Sequence, residues 1–111
     1  MNLNINPFQP GTILNFNDLV EYSSGGVVSK QVIKAEKGNV TLFAFDAGQG
    51  LSEHSAPFDA LVQVIDGSVQ VMIGGNPFEL KAGESIIMPA NIPHSLKAIT
   101  AFKMILIMIR A

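Results

Sequence analysis

The chain alternates short runs of apolar and β-branched residues with turns rich in glycine, asparagine and proline. No stretch keeps the 3.6-residue period of an amphipathic helix for more than about two turns, whereas several runs follow the period of two that half-buried strands show. The pattern therefore predicts an all-β fold. The predicted strands are 27–36, 40–46, 61–65, 69–73, 78–81, 85–88, 94–98 and 102–109.

Three turn sequences predict how neighbouring strands connect. Lys37-Gly38-Asn39 and Gly74-Gly75-Asn76-Pro77 each separate two predicted strands and favour a tight reversal of the chain. Asp66-Gly67 is a dipeptide favoured in hairpin turns, because glycine accepts positive φ. We therefore expect the strand before Asp66 to pair with the strand after Gly67.

Only residues 16–22 offer a candidate helix, with Asn15 or Asn17 as its N-cap. Elsewhere turn residues recur at intervals of about 8–12 residues, which is typical of a β-sandwich or a closed barrel. A chain of 111 residues can build one ordinary hydrophobic core. We therefore expect one domain, spanning 1–111.

The composition suggests that part of the surface is covered by a second subunit. Hydrophobic residues make up 48% of the chain and charged residues only 14%, against about 25% charged in typical soluble domains. Strands that are apolar on both faces need cover on both. The interior of a small barrel covers one face, which leaves Leu61, Ile65 and alternate residues of 104–109 in need of cover outside. These residues predict a homodimer.

Charge and segment composition argue against several partners. The net charge is −2 and the seven Lys and Arg residues are scattered singly, so no basic stripe is available for nucleic acid. The N-terminal residues lack the basic start and apolar run of a signal peptide. The longest apolar stretch, 104–109, is far shorter than the roughly 20 residues of a transmembrane helix. We expect no nucleic-acid or membrane partner.

The absence of cysteine narrows the possible chemistry. It excludes disulfides, thiolate metal sites and a cysteine nucleophile. It is also compatible with a reducing compartment, so we expect a cytoplasmic protein.

The chain has only two histidines, His54 and His94, and each follows a turn. The surrounding residues form two spaced patterns. The first is Gly48-x5-His54-x-Ala56-x3-Ala60-x6-Gly67, and the second is Gly83-x5-Pro89-x-Asn91-x2-His94.

These patterns resemble the two motifs of the cupin family, G-x5-H-x-H-x3-4-E-x6-G and G-x5-P-x-G-x2-H-x3-N. The matching positions are Gly48, His54, Gly67, Gly83, Pro89 and His94. The resemblance covers about half of the chain, 48–98, and six positions at fixed spacing make it specific. It implies a jelly-roll, or double-stranded β-helix, barrel of two antiparallel sheets. Residues 1–26 would form an N-terminal arm and the region of the first strand.

The chain departs from the family where metal ligands are expected. Cupins commonly bind metal through two His and one Glu of the first motif and the His of the second. Here Ala56 replaces one His, Ala60 replaces the Glu, and Ala98 replaces the Asn that ends the second motif. Two imidazoles are a poor divalent site, since catalytic Zn or Fe usually keeps three protein ligands.

Strand alternation predicts which residues face the barrel interior. It turns Glu53, Asp59 and Gln63 outward and their neighbours inward. The expected ligand pocket is formed by His54, Ala56, Ala60, Val62, Val64, Met88 and His94. We interpret it as a mainly apolar, metal-free pocket that binds a small organic molecule, with the two histidines as polar anchors.

The alternative is a metal-dependent enzyme of the dioxygenase or isomerase type. In that interpretation His54 and His94 bind a divalent transition metal together with a third ligand that the sequence does not identify. Met88, Met104 or Met108 could supply a thioether, which suits a soft ion such as Cu(I), although methionines in strands are more often core residues. The specific activity is left open, since cupins serve many functions.

Overall fold

A computed structural model describes residues 6–110 of the chain. In this range it has one 3₁₀ helix, Phe16–Asp18, and nine strands. The strands are β1 (Val27–Ala35), β2 (Gly38–Phe45), β3 (Gly50–His54), β4 (Phe58–Asp66), β5 (Ser68–Ile73), β6 (Asn76–Lys81), β7 (Ser85–Met88), β8 (His94–Ala98) and β9 (Phe102–Arg110). The all-β prediction is confirmed. No helix within 6–110 is long and apolar enough to cross a membrane.

The strands form two antiparallel sheets that enclose the main core. The larger sheet has the order β1-β2-β9-β4-β7 and the smaller has the order β3-β8-β5-β6. Side chains from both sheets meet in one apolar cluster. Its largest fully buried members are Phe45, Phe102, Met88 and Met104. Two packed antiparallel sheets in this order confirm the jelly-roll architecture.

Eight of the nine strands coincide with predicted ones, apart from shifts at their ends, and β3 was not predicted. This strand has the sequence Gly-Leu-Ser-Glu-His, in which Leu51 is the only hydrophobic residue and only partly buried. It lies at the edge of the smaller sheet and pairs with β8 alone, through an irregular register. A short polar strand of this kind lacks the alternation from which strands are predicted.

The predicted hairpin across Asp66-Gly67 is wrong. β4 pairs with β7 and β9 in the larger sheet, whereas β5 pairs with β6 and β8 in the smaller sheet. Asp66-Gly67 therefore carries the chain from one sheet to the other. The hairpins β1/β2 and β5/β6, by contrast, are confirmed.

The predicted helix at 16–22 is reduced to the single 3₁₀ turn Phe16–Asp18. Asn15 caps it, since its side-chain oxygen accepts a hydrogen bond from the Asn17 N–H at 3.2 Å. Within 6–26 the structure shows no strand, and residues 1–5 of the predicted N-terminal arm lie outside the described residues. A run as short and polar as 15–18 cannot extend a helix without an apolar face to bury.

The segment before β1 covers part of the outer face of the larger sheet. Val20, which is fully buried, packs with Leu42, Ala44 and Ile105 in a second apolar cluster. Phe8, Phe16, Leu19 and Ile65 lie against the same cluster. The expectation that Ile65 needs a second subunit is therefore wrong, because the chain's own N-terminal segment covers this region.

Candidate functional site

The two histidines lie side by side on neighbouring strands of the smaller sheet. His54 is the last residue of β3 and His94 is the first residue of β8, and the two are paired in the strand register. Their ring centroids are 4.5 Å apart and their planes meet at 69°, an edge-to-face arrangement. The unpredicted strand β3 is therefore the element that brings His54 to His94.

Backbone hydrogen bonds determine which ring nitrogen carries the proton. His54 Nδ1 lies 2.7 Å from the Ser52 carbonyl oxygen, and His94 Nδ1 lies 3.2 Å from that of Ile92. A carbonyl oxygen only accepts, so each Nδ1 donates. In the neutral imidazole Nε2 then holds a lone pair, and neither Nε2 has a hydrogen-bond partner within residues 6–110. The pair therefore offers two acceptors.

Burial keeps His94 in its neutral form. Its side chain is only 5% exposed. Loss of hydration lowers the pKa of His94 below its usual value of 6.5, the hydrogen bond to the Ile92 carbonyl opposes this shift, and the neighbouring His54 adds to it. These effects together favour the neutral form of His94.

A small cavity opens beside the two rings at this end of the barrel. Its volume is about 30 Å³, room for roughly one or two water molecules. It is lined by Leu51, His54, Ala56, Phe58, Ala60, Met88, His94, Leu96, Leu106 and Met108. Apart from the imidazoles, the lining side chains are all apolar. His54 itself is exposed, so the cavity meets solvent on the β3 side.

Two methionines flank Ala60 in the wall of this cavity. Ala60 on β4 is paired with Met88 on β7 and with Met108 on β9. Paired residues of adjacent strands point to the same face, about 4.8 Å apart. Because alanine ends at Cβ, it leaves space between the two thioether side chains. In the resembled motif this position carries the metal-binding carboxylate.

Five of the seven predicted pocket residues line the cavity, namely His54, Ala56, Ala60, Met88 and His94. Val62 and Val64 do not line it. Both are fully buried in the main core, because the cavity occupies only the end of the barrel where β4 begins. Strand alternation gives the inward face correctly but not the depth at which a cavity ends.

Five further residues line the cavity outside the expected pocket, and of these only Met108 was considered, as a thioether ligand: they are Leu51, Phe58, Leu96, Leu106 and Met108. A signal was present for two of them, since Leu106 and Met108 alternate along β9 with the buried Met104. Met104 is fully buried and lies in the main core, away from the cavity lining. Of the three methionines considered as ligands, Met88 and Met108 are at the cavity.

A divalent metal of the kind common in the resembled family does not fit the donors present. Within residues 6–110 no three His, Cys, Asp or Glu side chains are grouped to hold a metal ion. Asp59, next to Ala60 on β4, is exposed, and its carboxylate accepts a hydrogen bond from the Ala90 N–H at 2.9 Å. The two imidazoles therefore have no carboxylate beside them to complete a divalent metal site.

Solved structures of similar chains share this fold. A conserved protein of unknown function from Streptococcus pyogenes superposes with a TM-score of 0.90 at 30% identity, covering 96% of this chain and 94% of that one. A cupin 2 conserved barrel domain protein from Leptotrichia buccalis has a TM-score of 0.85 at 41% identity, over 87% of this chain and 47% of that one.

The sequence is also similar to a curated regulator. The HTH-type transcriptional regulator PuuR of Escherichia coli (strain K12) is 28% identical over 101 residues, which are 86% of this chain and 54% of the regulator. The chain thus spans about half the length of that relative. A family model described as "Cupin domain" matches residues 41–110, well over half of the chain. The resemblance in the two motifs is therefore confirmed, and the chain belongs to the cupin family.

Proposed function

We propose that the protein is a binding module whose site is the cavity beside His54 and His94, and that its ligand is a small organic molecule. The observation that supports this most directly is the pair of Nε2 acceptors without protein partners in an otherwise apolar cavity. His94 is buried and His54 is exposed at the mouth of the cavity, and a neutral imidazole Nε2 accepts a hydrogen bond from any donor that reaches it. The ligand should therefore present a hydroxyl or amine to the imidazoles.

The volume of the cavity limits what part of the ligand enters it. Organic ligand sites commonly measure about 300–1,000 Å³, at least about ten times the 30 Å³ found here. Only the donor group and one or two carbons would be enclosed. The remainder would lie at the solvent side, where His54 is exposed and Phe58 lines the edge of the cavity.

Similarity to half of a transcriptional regulator supports a binding rather than a catalytic role. The relative is named an HTH-type transcriptional regulator, and this chain matches 54% of its length. A barrel that binds a small molecule fits such a protein as its ligand-responsive part. We further propose that 1–111 forms one domain and that the protein works in the cytoplasm, which its lack of cysteine supports.

We also propose that two copies associate through the outer face of the larger sheet. Ile107, Leu61 and Ile87 are successive register partners across β9, β4 and β7, and so form one apolar row. Ile87 is 62% exposed, and Ile109 beside this row is 61% exposed. A continuous apolar row on a sheet face can pair with its own copy about a two-fold axis.

An NMR titration tests the binding site. The protein with ¹⁵N-labelled histidine is titrated with isobutanol and, separately, with butylamine. We expect both Nε2 resonances to shift with saturation for at least one of the two compounds. An Ala60→Leu variant should abolish the shift by filling the cavity, whereas Ala98→Val, at a buried alanine outside the cavity lining, should retain it. Equal shifts in both variants would contradict the proposed site.

A metal-bound site is the second candidate. The divalent-metal enzyme lacks a third ligand among the described residues, so we do not assign that activity. The methionine pair beside Ala60 and the small volume favour a different kind of ion.

A further inference from the structure

We infer that the cavity binds a soft monovalent metal ion, Cu(I) or Ag(I), through His54, His94, Met88 and Met108. This inference shares with the proposed function only the use of the same cavity as a binding site. Met88 and Met108 do not belong to the spaced motifs, so the assignment depends on where the strands place them.

The first support is that four side chains with suitable donor atoms line one cavity. Two bring imidazole Nε2 lone pairs, each oriented by an Nδ1–H hydrogen bond to a backbone carbonyl. A ring held in this way through its other nitrogen is typical of histidine ligands to metals. The other two bring thioether sulfurs from the strands on either side of Ala60. All four residues line the same space.

The second support is size. A cavity of about 30 Å³ accepts a single ion or a few solvent atoms and encloses only the tip of an organic molecule. Met88 and Met108 are among the side chains that enclose this space beside Ala60. An ion in this cavity would displace any enclosed water and would be coordinated by the side chains instead.

The donor chemistry selects the kind of ion. Thioether and neutral imidazole donors suit Cu(I), whereas Mg²⁺, Ca²⁺ and Mn²⁺ prefer oxygen ligands. The lining includes no carboxylate, hydroxyl or amide side chain. A monovalent ion also brings a smaller uncompensated charge into an apolar site than a divalent ion does. These donors therefore favour a soft, singly charged ion.

Ordinary core packing is the competing explanation for the methionines, and Met104 provides the comparison. Met104 lies on the same strand and the same face as Met108, but it is fully buried in the main core and away from the cavity. If the methionines only fill space, Met88 and Met108 should respond to a soft ion no more than Met104 does.

Calorimetric titration with silver nitrate in chloride-free buffer tests the inference. We expect one Ag(I) per chain. Met88→Leu and Met108→Leu conserve volume, and each should weaken binding by at least about tenfold. Met104→Leu should leave the affinity unchanged. Zn(II) should bind more weakly than Ag(I). Equal Ag(I) affinity in all three leucine variants, or tighter binding of Zn(II), would overturn the inference.

Methionine methyl NMR gives a second readout that needs no substitution. Addition of one equivalent of Ag(I) should shift the ε-methyl signals of Met88 and Met108 and leave those of Met72 and Met104 in place. Shifts confined to the histidine signals would overturn the thioether assignment. If the organic compounds bind and Ag(I) does not, the proposed function stands and this inference is rejected. If Ag(I) binds and the organic compounds do not, this inference stands and the proposed function is rejected. If neither binds, both are rejected.

Discussion

Gly67 lies against the backbone carbonyl of Ala101, so that a Cβ atom at position 67 would come within 1.9 Å of that oxygen. Gly67 also has a φ of +73°, in the left-handed region. The chain passes from the larger to the smaller sheet at this point, and it can do so only where no side chain separates the two backbones. The glycine of the first cupin motif thus permits the crossing between sheets.

Replacing Gly67 with alanine should destabilise the fold strongly. Gly67→Ala adds the clash with Ala101 to the strain of positive φ, and we expect the free energy of unfolding to fall by more than about 3 kcal/mol. Gly75→Ala is the matched control, since its φ is +83° but nothing lies within 4 Å of its Cβ position. The control should lose only about 1–2 kcal/mol. Urea unfolding measures both, and equal losses would refute the close-approach explanation.

Restoring the family's ligands should create a divalent site. In Ala56→His combined with Ala60→Glu, the new side chains would line the cavity together with His54 and His94. At a Zn(II) or Ni(II) concentration about 100 times the Kd, the free energy of unfolding should rise by roughly 2.7 kcal/mol. The melting temperature should rise accordingly.

The control for this design is Ser55→His combined with Gln63→Glu. Both positions are exposed and outside the cavity lining, so the same residue types should give no metal-dependent stabilisation. If the cavity variant folds but binds neither Zn(II) nor Ni(II), the geometry of the cavity no longer suits a metal ion even when the family's ligands are present.

Tyr22 ties the segment before β1 to the end of β4, and its removal should loosen that contact. The Tyr22 hydroxyl donates a hydrogen bond to the Asp66 carboxylate, and Lys103 Nζ lies 5.0 Å from the Tyr22 ring centroid. At neutral pH we expect Tyr22→Phe to lower the free energy of unfolding by about 1 kcal/mol. If wild type and Tyr22→Phe have equal free energies of unfolding, the hydrogen bond of Tyr22 does not stabilise the fold.

The contribution of the Tyr22–Asp66 hydrogen bond to stability should depend on pH. Partial burial, followed by the hydrogen bond to Asp66 and its charge, raises the pKa of Tyr22 above its usual 10.0. A group with a raised folded-state pKa contributes its full stability below the unfolded pKa and loses it as the pH rises. The difference between wild type and Tyr22→Phe should therefore shrink above pH 10 in unfolding experiments. A difference that stays constant across this range would contradict the coupling.

A charge in the apolar outer row should separate the proposed dimer. Ile87→Lys places an ammonium group in the row formed with Leu61 and Ile107, and burial of that charge against a second copy is unfavourable. We expect the dimer of the wild type at micromolar concentration to become a monomer in light scattering. Ile99→Lys, at an exposed turn residue outside this row, should remain a dimer. A wild-type protein that is monomeric at this concentration would contradict the proposal that this surface forms a dimer interface.

Much of the fold follows from local pattern. Strands such as β7 and β8 occur where they are predicted, because runs of β-branched and apolar residues bounded by turns satisfy strand preferences locally. The cupin motifs also identify both histidines and the alanines that replace metal ligands. Those features depend on residue identity and spacing along one stretch of chain.

Other features depend on contacts between distant residues. The sequence Asp66-Gly67 is compatible with a hairpin and with a crossing between sheets, and packing against Ala101 decides between them. β3 exists because β8 provides a partner for its backbone, not because its own residues prefer a strand.

The candidate site shows the same division. The sequence by itself determined an all-β cupin with two histidines and a depleted set of ligands. The tertiary structure decided that Met88 and Met108 flank Ala60, that Val62 and Val64 lie in the core, and that the cavity is small. The physical reason is that strand alternation specifies which face a side chain occupies, whereas cross-strand register and packing decide which side chains meet there.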